Sequence, residues 1–134
     1  MIHFNHKYSL IIFFLILLNS CNKNVDVNIY ESIGYNDFLT TINKQKNSTW
    51  ESNCIKCHSR NNNFIGFDKK NYWNKTAQKG IDTLFNHVYN GYNGKYGIMP
   101  PRGSCYECSE IEIKNSIFYL FYLSKHSKKT KNIN

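Results

Sequence analysis

The pattern of apolar and polar positions divides the chain into four stretches. Leu10 to Leu18 is an unbroken apolar run of nine residues (LIIFFLILL) behind a single positive residue, Lys7. A helix that crosses a bilayer needs roughly 20 apolar residues, so the run is too short to span. A positive residue followed by a short apolar core is instead the pattern of an export signal. From Asn22 to about Gln45 the chain is polar and Asn-rich without a sustained period. That stretch reads as a flexible tether, with at most some helical turns near Tyr35 to Ile42. From about Ser48 helical spacing returns, and after Ser124 the sequence becomes a short basic tail.

Four helices are predicted in the periodic stretch. The first runs from about Ser48 towards Cys54. A second covers about Trp73 to Gln78 and breaks at Gly80. A third, about Ile81 to Tyr89, points Leu84, Phe85 and Val88 inward and stops at Gly91. The last is the clearest. Ser109 and Glu112 form a capping-box pattern, and Ile113, Ile117, Leu120, Phe121 and Ser124 then line one helical face. Strand alternation and internal repeats are both absent, so the expected class is all-α. The expected divisions are residues 1–20 as signal, 21–47 as lipidated residue and tether, 48–124 as the domain and 125–134 as the tail. About 75 residues in short helices make a thin core, and domains of this size commonly need a staple such as a metal, a disulfide or a cofactor.

Cysteine usage sharpens this. The chain has five Cys, an odd number for an exported protein. Cys54 and Cys57 form one C-x-x-C, Cys105 and Cys108 another, and Cys21 remains. It closes the run Leu18-Asn19-Ser20-Cys21, which resembles a lipobox, so Cys21 is the expected site of diacylglycerol attachment. The formal net charge of +8 would suit nucleic acid, but export argues against that partner. Asn, Lys and Ile make up 50 of the 134 residues, so part of the charge reflects compositional bias. A basic carrier favouring acidic partner surfaces or anionic lipid remains.

Cys54-Ile55-Lys56-Cys57-His58 is C-x-x-C-H, the attachment signature of c-type haem. Each thiol adds to one vinyl group, two residues on a helical turn match the vinyl separation, and His58 then coordinates the iron. Zinc bound by Cys54, Cys57, Cys105 and Cys108 is the rival reading, disfavoured in an oxidising compartment. Met99 is followed at once by the only prolines, Pro100 and Pro101. A thioether ligand must be held by a stiff loop, and Pro-Pro supplies stiffness. A buried core Met on a turn is the alternative, and His87 is the rival second iron ligand. Ser109 follows Cys108, so Cys105-Tyr106-Glu107-Cys108 is not a second haem motif. A disulfide is the obvious use, and a reactive dithiol at a helix start the other.

The stretches CIKCH, GIDTLFNHVYNG and GIMPPRGSCYECSEIEIKNSIFYL together resemble the cytochrome c5 family of class I c-type cytochromes. The likeness covers about Trp50 to Leu120. It implies a small fold of three or four helices around one covalent haem, Met99 as sixth iron ligand and a Cys105–Cys108 disulfide. It also implies an aromatic contact between Trp50 and Tyr119, and a monomer or weak dimer. The loop after the motif, Asn61 to Gly66, lacks the proline whose carbonyl orients the proximal His in that family. The segment Tyr92 to Tyr96 is longer than usual.

The expected function is electron transfer in the periplasm, tethered to a membrane, between redox partners with acidic docking faces. Lys56, Arg60, Lys95 and Arg102 lie near the motif or the Met turn in sequence and are candidates for a basic docking rim. No Ser/His/Asp set or paired-carboxylate pattern points to an enzyme. A haem-based sensor or haem enzyme module, and a zinc-stapled lipoprotein, are the other classes.

Overall fold

A computed structural model of the chain describes residues 27–42 and 47–127. The expected export signal, Cys21 and the segment 128–134 lie outside the described residues. A 3-10 turn, Ile29–Glu31, leads into α1 (Ile33–Thr41). Next comes α2, which is π-helical over Trp50–Cys54 and α-helical over Ile55–His58. After it come α3 (Lys70–Ala77), α4 (Gly80–Asn90), the antiparallel pair β1 (Tyr92–Gly94) and β2 (Gly97–Met99), and a 3-10 turn over Pro101–Ser104. The last element is α5 (Glu110–His126). The class is all-α, and the small hairpin is its one departure among the described residues.

The core is built on α5. Its start carries a full capping box. The Ser109 hydroxyl accepts from the Glu112 N–H at 3.4 Å, while the Glu112 carboxylate accepts from the Ser109 N–H at 2.8 Å. Two of the helix's orphan N–H groups are thereby satisfied. Ile113, Ile117, Leu120, Phe121 and Ser124 are all buried. Trp50 meets Tyr119 edge-on at 5.7 Å, which ties α2 to α5. Asn47 strengthens that tie, since its side-chain oxygen accepts both the Trp50 N–H at 2.9 Å and the Ser116 hydroxyl at 3.3 Å.

Three expectations change. The stretch read as tether through residue 47 is partly folded. Ser32 caps α1 by accepting from the Tyr35 N–H at 3.2 Å. Ile29 and Tyr35 are almost fully enclosed. Tyr30 packs edge-on against Phe121 and Tyr35 packs against Phe118, so residues 29–42 belong to the same core as α5. The last helix also runs past Ser124 to His126, with Ser127 buried as its cap. Finally, the long segment before Met99 is a hairpin, pairing Tyr92 with Met99, Asn93 with Ile98 and Gly94 with Gly97. Among the described residues no helix is long and apolar enough to cross a membrane.

Candidate functional site

The C-x-x-C-H motif lies on the helical end of α2, and the chain immediately after it folds back to hold His58. The His58 Nδ1 is 2.9 Å from the carbonyl oxygen of Ile65. A carbonyl only accepts, so Nδ1 carries the proton and Nε2 keeps its lone pair for a metal. The return is fixed by two further bonds. The Phe67 N–H donates to the His58 carbonyl at 3.0 Å, and the Trp73 indole N–H donates to the Gly66 carbonyl at 2.8 Å. A Cβ at Gly66 would come within 2.5 Å of the Ser59 carbonyl, so only glycine permits so tight a turn. Ile65 thus supplies the orienting carbonyl in a loop that has no proline. Trp73 is a functional residue the sequence reading missed. Its signal was its rarity, since it is one of only two tryptophans in the chain.

His58 sits between two indoles, stacked on Trp50 at 6.4 Å and edge-on to Trp73 at 5.8 Å. Burial lowers its pKa below the ordinary imidazole range, partly offset by the Ile65 hydrogen bond. The imidazole is therefore neutral at physiological pH, the state a metal ligand requires. Neither Cys54 nor Cys57 is in a disulfide. Burial pushes the Cys54 thiol up, against a smaller effect of a Ser116 hydrogen bond.

These residues open onto one cavity of about 320 Å³, walled largely by apolar side chains. Cys54, Cys57 and His58 line it from α2, Leu84 and Val88 from α4, Met99 from β2, and Ile117 and Leu120 from α5. The Met99 segment is held by a close backbone approach. Gly91 ends α4 with φ of +86°, and a Cβ there would lie 3.1 Å from both the Met99 carbonyl and the Pro101 ring. The chain then passes through the Pro101–Ser104 turn, where the Gly103 N–H donates to the Pro100 carbonyl at 3.0 Å. Cys105 and Cys108 follow with their sulfur atoms in bonding contact and their Cα atoms 5.4 Å apart. Two thiols, a histidine with a free Nε2 and a thioether facing one apolar cavity are a donor set that fits haem c.

The four cysteines of the zinc reading are not gathered. Cys105 and Cys108 meet each other, and among the described residues no group of three or more His, Cys, Asp or Glu is placed to hold a metal ion. His87 also lines the cavity, with its ring stacked on Tyr92 at 4.1 Å. Burial and the nearby Lys79 cation lower its pKa.

Of the four basic residues expected at a rim, Lys56 and Lys95 are exposed and line the cavity mouth. Arg60 lies over the Phe67 ring instead. Arg102 is not a rim residue. Its guanidinium sits 4.5 Å from the Tyr89 ring centre, and its Nη2 donates to the Cys108 carbonyl. Phe64, Tyr96 and Ile98 are exposed apolar residues beside the mouth.

The family model described as "Cytochrome C oxidase, cbb3-type, subunit III" matches residues 43–120, more than half of the chain. Cytochrome c-555 of Chlorobaculum tepidum is 27% identical over 81 residues, which is 58% of this chain and 73% of that protein. Cytochrome c-555 of Chlorobaculum thiosulfatiphilum is 26% identical over 81 residues, 58% of this chain and 92% of that protein.

Proposed function

The chain belongs to the cytochrome c oxidase, cbb3-type, subunit III family, and on that premise we propose a tethered periplasmic electron carrier whose single haem iron lies between His58 and Met99. It is a c-type cytochrome, and it carries electrons through covalently bound haem c. The bound group supplies a one-electron ferric/ferrous couple. The protein's residues supply attachment, orientation and insulation. Cys54 and Cys57 provide the thioether links. His58 Nε2 is the proximal ligand, and the Ile65 carbonyl fixes its tautomer and ring plane. Trp50 and Trp73 exclude water from that side. Met99 would be the second protein ligand, held by the stiff Pro100-Pro101 turn so that a change of redox state would need little rearrangement of the chain.

The observation that carries this reading is the His58–Ile65 hydrogen bond at the edge of a cavity that also contains Met99. A Cys105–Cys108 disulfide would stiffen the chain between the Met99 turn and α5. The Met-Pro-Pro turn followed by C-x-x-C supports placement with the c5 group. Cys21 would carry the lipid. Lys56 and Lys95, with Phe64, Tyr96 and Ile98 beside them, would offer a basic and apolar mouth to a redox protein with an acidic face.

Substitution of Met99 tests the ligand set. The oxidised holoprotein should show the weak sulfur-to-iron charge-transfer band at the red end of the visible spectrum. Met99→Ala should abolish it, admit carbon monoxide to the ferrous protein and lower the midpoint potential, whereas His87→Ala should leave all three unchanged. If His87 proves decisive and Met99 silent, the ligation is bis-histidine. If the unmutated ferrous protein binds carbon monoxide readily, the electron-carrier reading gives way to a ligand sensor.

A further inference from the structure

We propose that Arg102 is a fixed cation of the haem cavity and raises the midpoint potential of the carrier. The inference rests on haem c occupying the cavity with Met99 as the second ligand, as proposed above. Arg102 lines the same cavity as Met99. It stands in the left-handed region with φ of 56°, followed by Gly103 and Ser104 at 59° and 66°. A non-glycine residue seldom adopts this conformation, and here it belongs to the turn that carries the guanidinium inward, over Tyr89 and under the Cys108 carbonyl. The Nε is enclosed and has no hydrogen-bond partner. Buried donors are nearly always satisfied, so this one is an orphan at the edge of a ligand cavity.

The electrostatic consequence follows from the partners. A carbonyl and an aromatic face both stabilise a cation, yet neither cancels its charge, and among the described residues its contacts include no carboxylate. Guanidinium stays protonated at any physiological pH. Arg102 is only partly exposed and the cavity wall is largely apolar, so its field is screened less than at an open surface. Ferric haem carries one more positive charge than ferrous haem, so a fixed cation at the cavity wall disfavours the oxidised form. Reduction, by one electron from the redox partner, therefore becomes easier.

The test is redox titration of the purified holoprotein at fixed pH and ionic strength, with the red charge-transfer band recorded on the same samples. In Arg102→Gln the ferrous-to-ferric ratio at a fixed poise should fall about tenfold, which is about 59 mV for one electron, with the band unchanged. Arg102→Lys, which keeps the charge without the planar fork, should stay within about threefold of wild type. Arg102→His covers the case in which the Gln variant does not fold. Its potential should rise as pH falls through the histidine range more steeply than that of the wild type, whose own His87 lines the same cavity. A ratio unchanged in Arg102→Gln overturns the proposal. So does a drop accompanied by loss of the band, which would make Arg102 a positioning residue for the loop. An equal drop in Arg102→Lys overturns it too, because charge would then not be the cause.

Discussion

Ile29 tests whether the N-terminal segment is a part of the cytochrome domain or a strand of tether lying against it. Its side chain has no exposed surface, in a 3-10 turn whose neighbour Tyr30 packs on Phe121. Replacing it by Ala removes about three carbons, each worth roughly 0.8 kcal/mol when buried, or about 2.4 kcal/mol of transfer energy. The cavity left behind adds to that, and large-to-small changes of this kind cost roughly 2–5 kcal/mol; about 3 kcal/mol is expected. For a domain of this size each 1 kcal/mol corresponds to roughly 4–8 °C in Tm, so the midpoint should fall by roughly 12–24 °C. The assay is reversible unfolding of the holoprotein, by far-ultraviolet circular dichroism and Soret absorbance in parallel. Ile33, on α1 nearby but 80% exposed, is the control, and Ile33→Ala should change little. A loss under about 0.5 kcal/mol for Ile29→Ala would refute the reasoning, because the segment would then detach at no cost. The domain would begin at about Ser48, as the sequence pattern suggested.

Tyr35→Phe should leave stability unchanged or raise it by about 1 kcal/mol, since the buried hydroxyl has no partner and an unsatisfied buried group costs roughly 1–3 kcal/mol. A clear loss in the same unfolding assay would mean that the hydroxyl is satisfied after all. Cys21→Ser should abolish incorporation of labelled fatty acid and release the protein from the membrane fraction. Equal labelling of both proteins would show that Cys21 is not the anchor.

The sequence was most informative where side-chain chemistry is local. The capping box at Ser109 and Glu112, the inward face of α5 and the stop at Gly91 all follow from short-range rules, and each stands where the pattern put it. The Trp50–Tyr119 contact came from the family resemblance. The N-terminal segment was misread because its buried residues, Ile29, Tyr35 and Phe38, are set among polar ones without a helical period. Their burial is a tertiary choice made by the aromatic face of α5. The hairpin escaped because three-residue strands are too short to show alternation. Its sign was a glycine on either side of the two-residue loop Lys95-Tyr96. The anchor of His58 is a backbone carbonyl, which no residue type announces. Arg102 was taken for a rim residue because nearness in sequence says nothing of direction, and three left-handed residues in a row reversed it.

The docking of residues 29–42 onto α5 also sets how far the carrier can roam if Cys21 holds the lipid. A tether running from Cys21 to residue 47 has about 26 steps and a contour of roughly 90 Å at 3.3–3.6 Å per residue. With the chain folded from Ile29, only about eight steps separate anchor and domain, a reach of roughly 27 Å. Accessible volume scales with the cube of reach, so the leash shrinks the search space by a factor on the order of 40. A partner embedded in the same bilayer within that reach would meet the haem domain at a correspondingly higher effective concentration. A partner standing farther from the membrane than the domain can stretch would be out of range, however well the two surfaces matched. Lengthening the segment between Cys21 and Val27 would trade the first population of partners for the second.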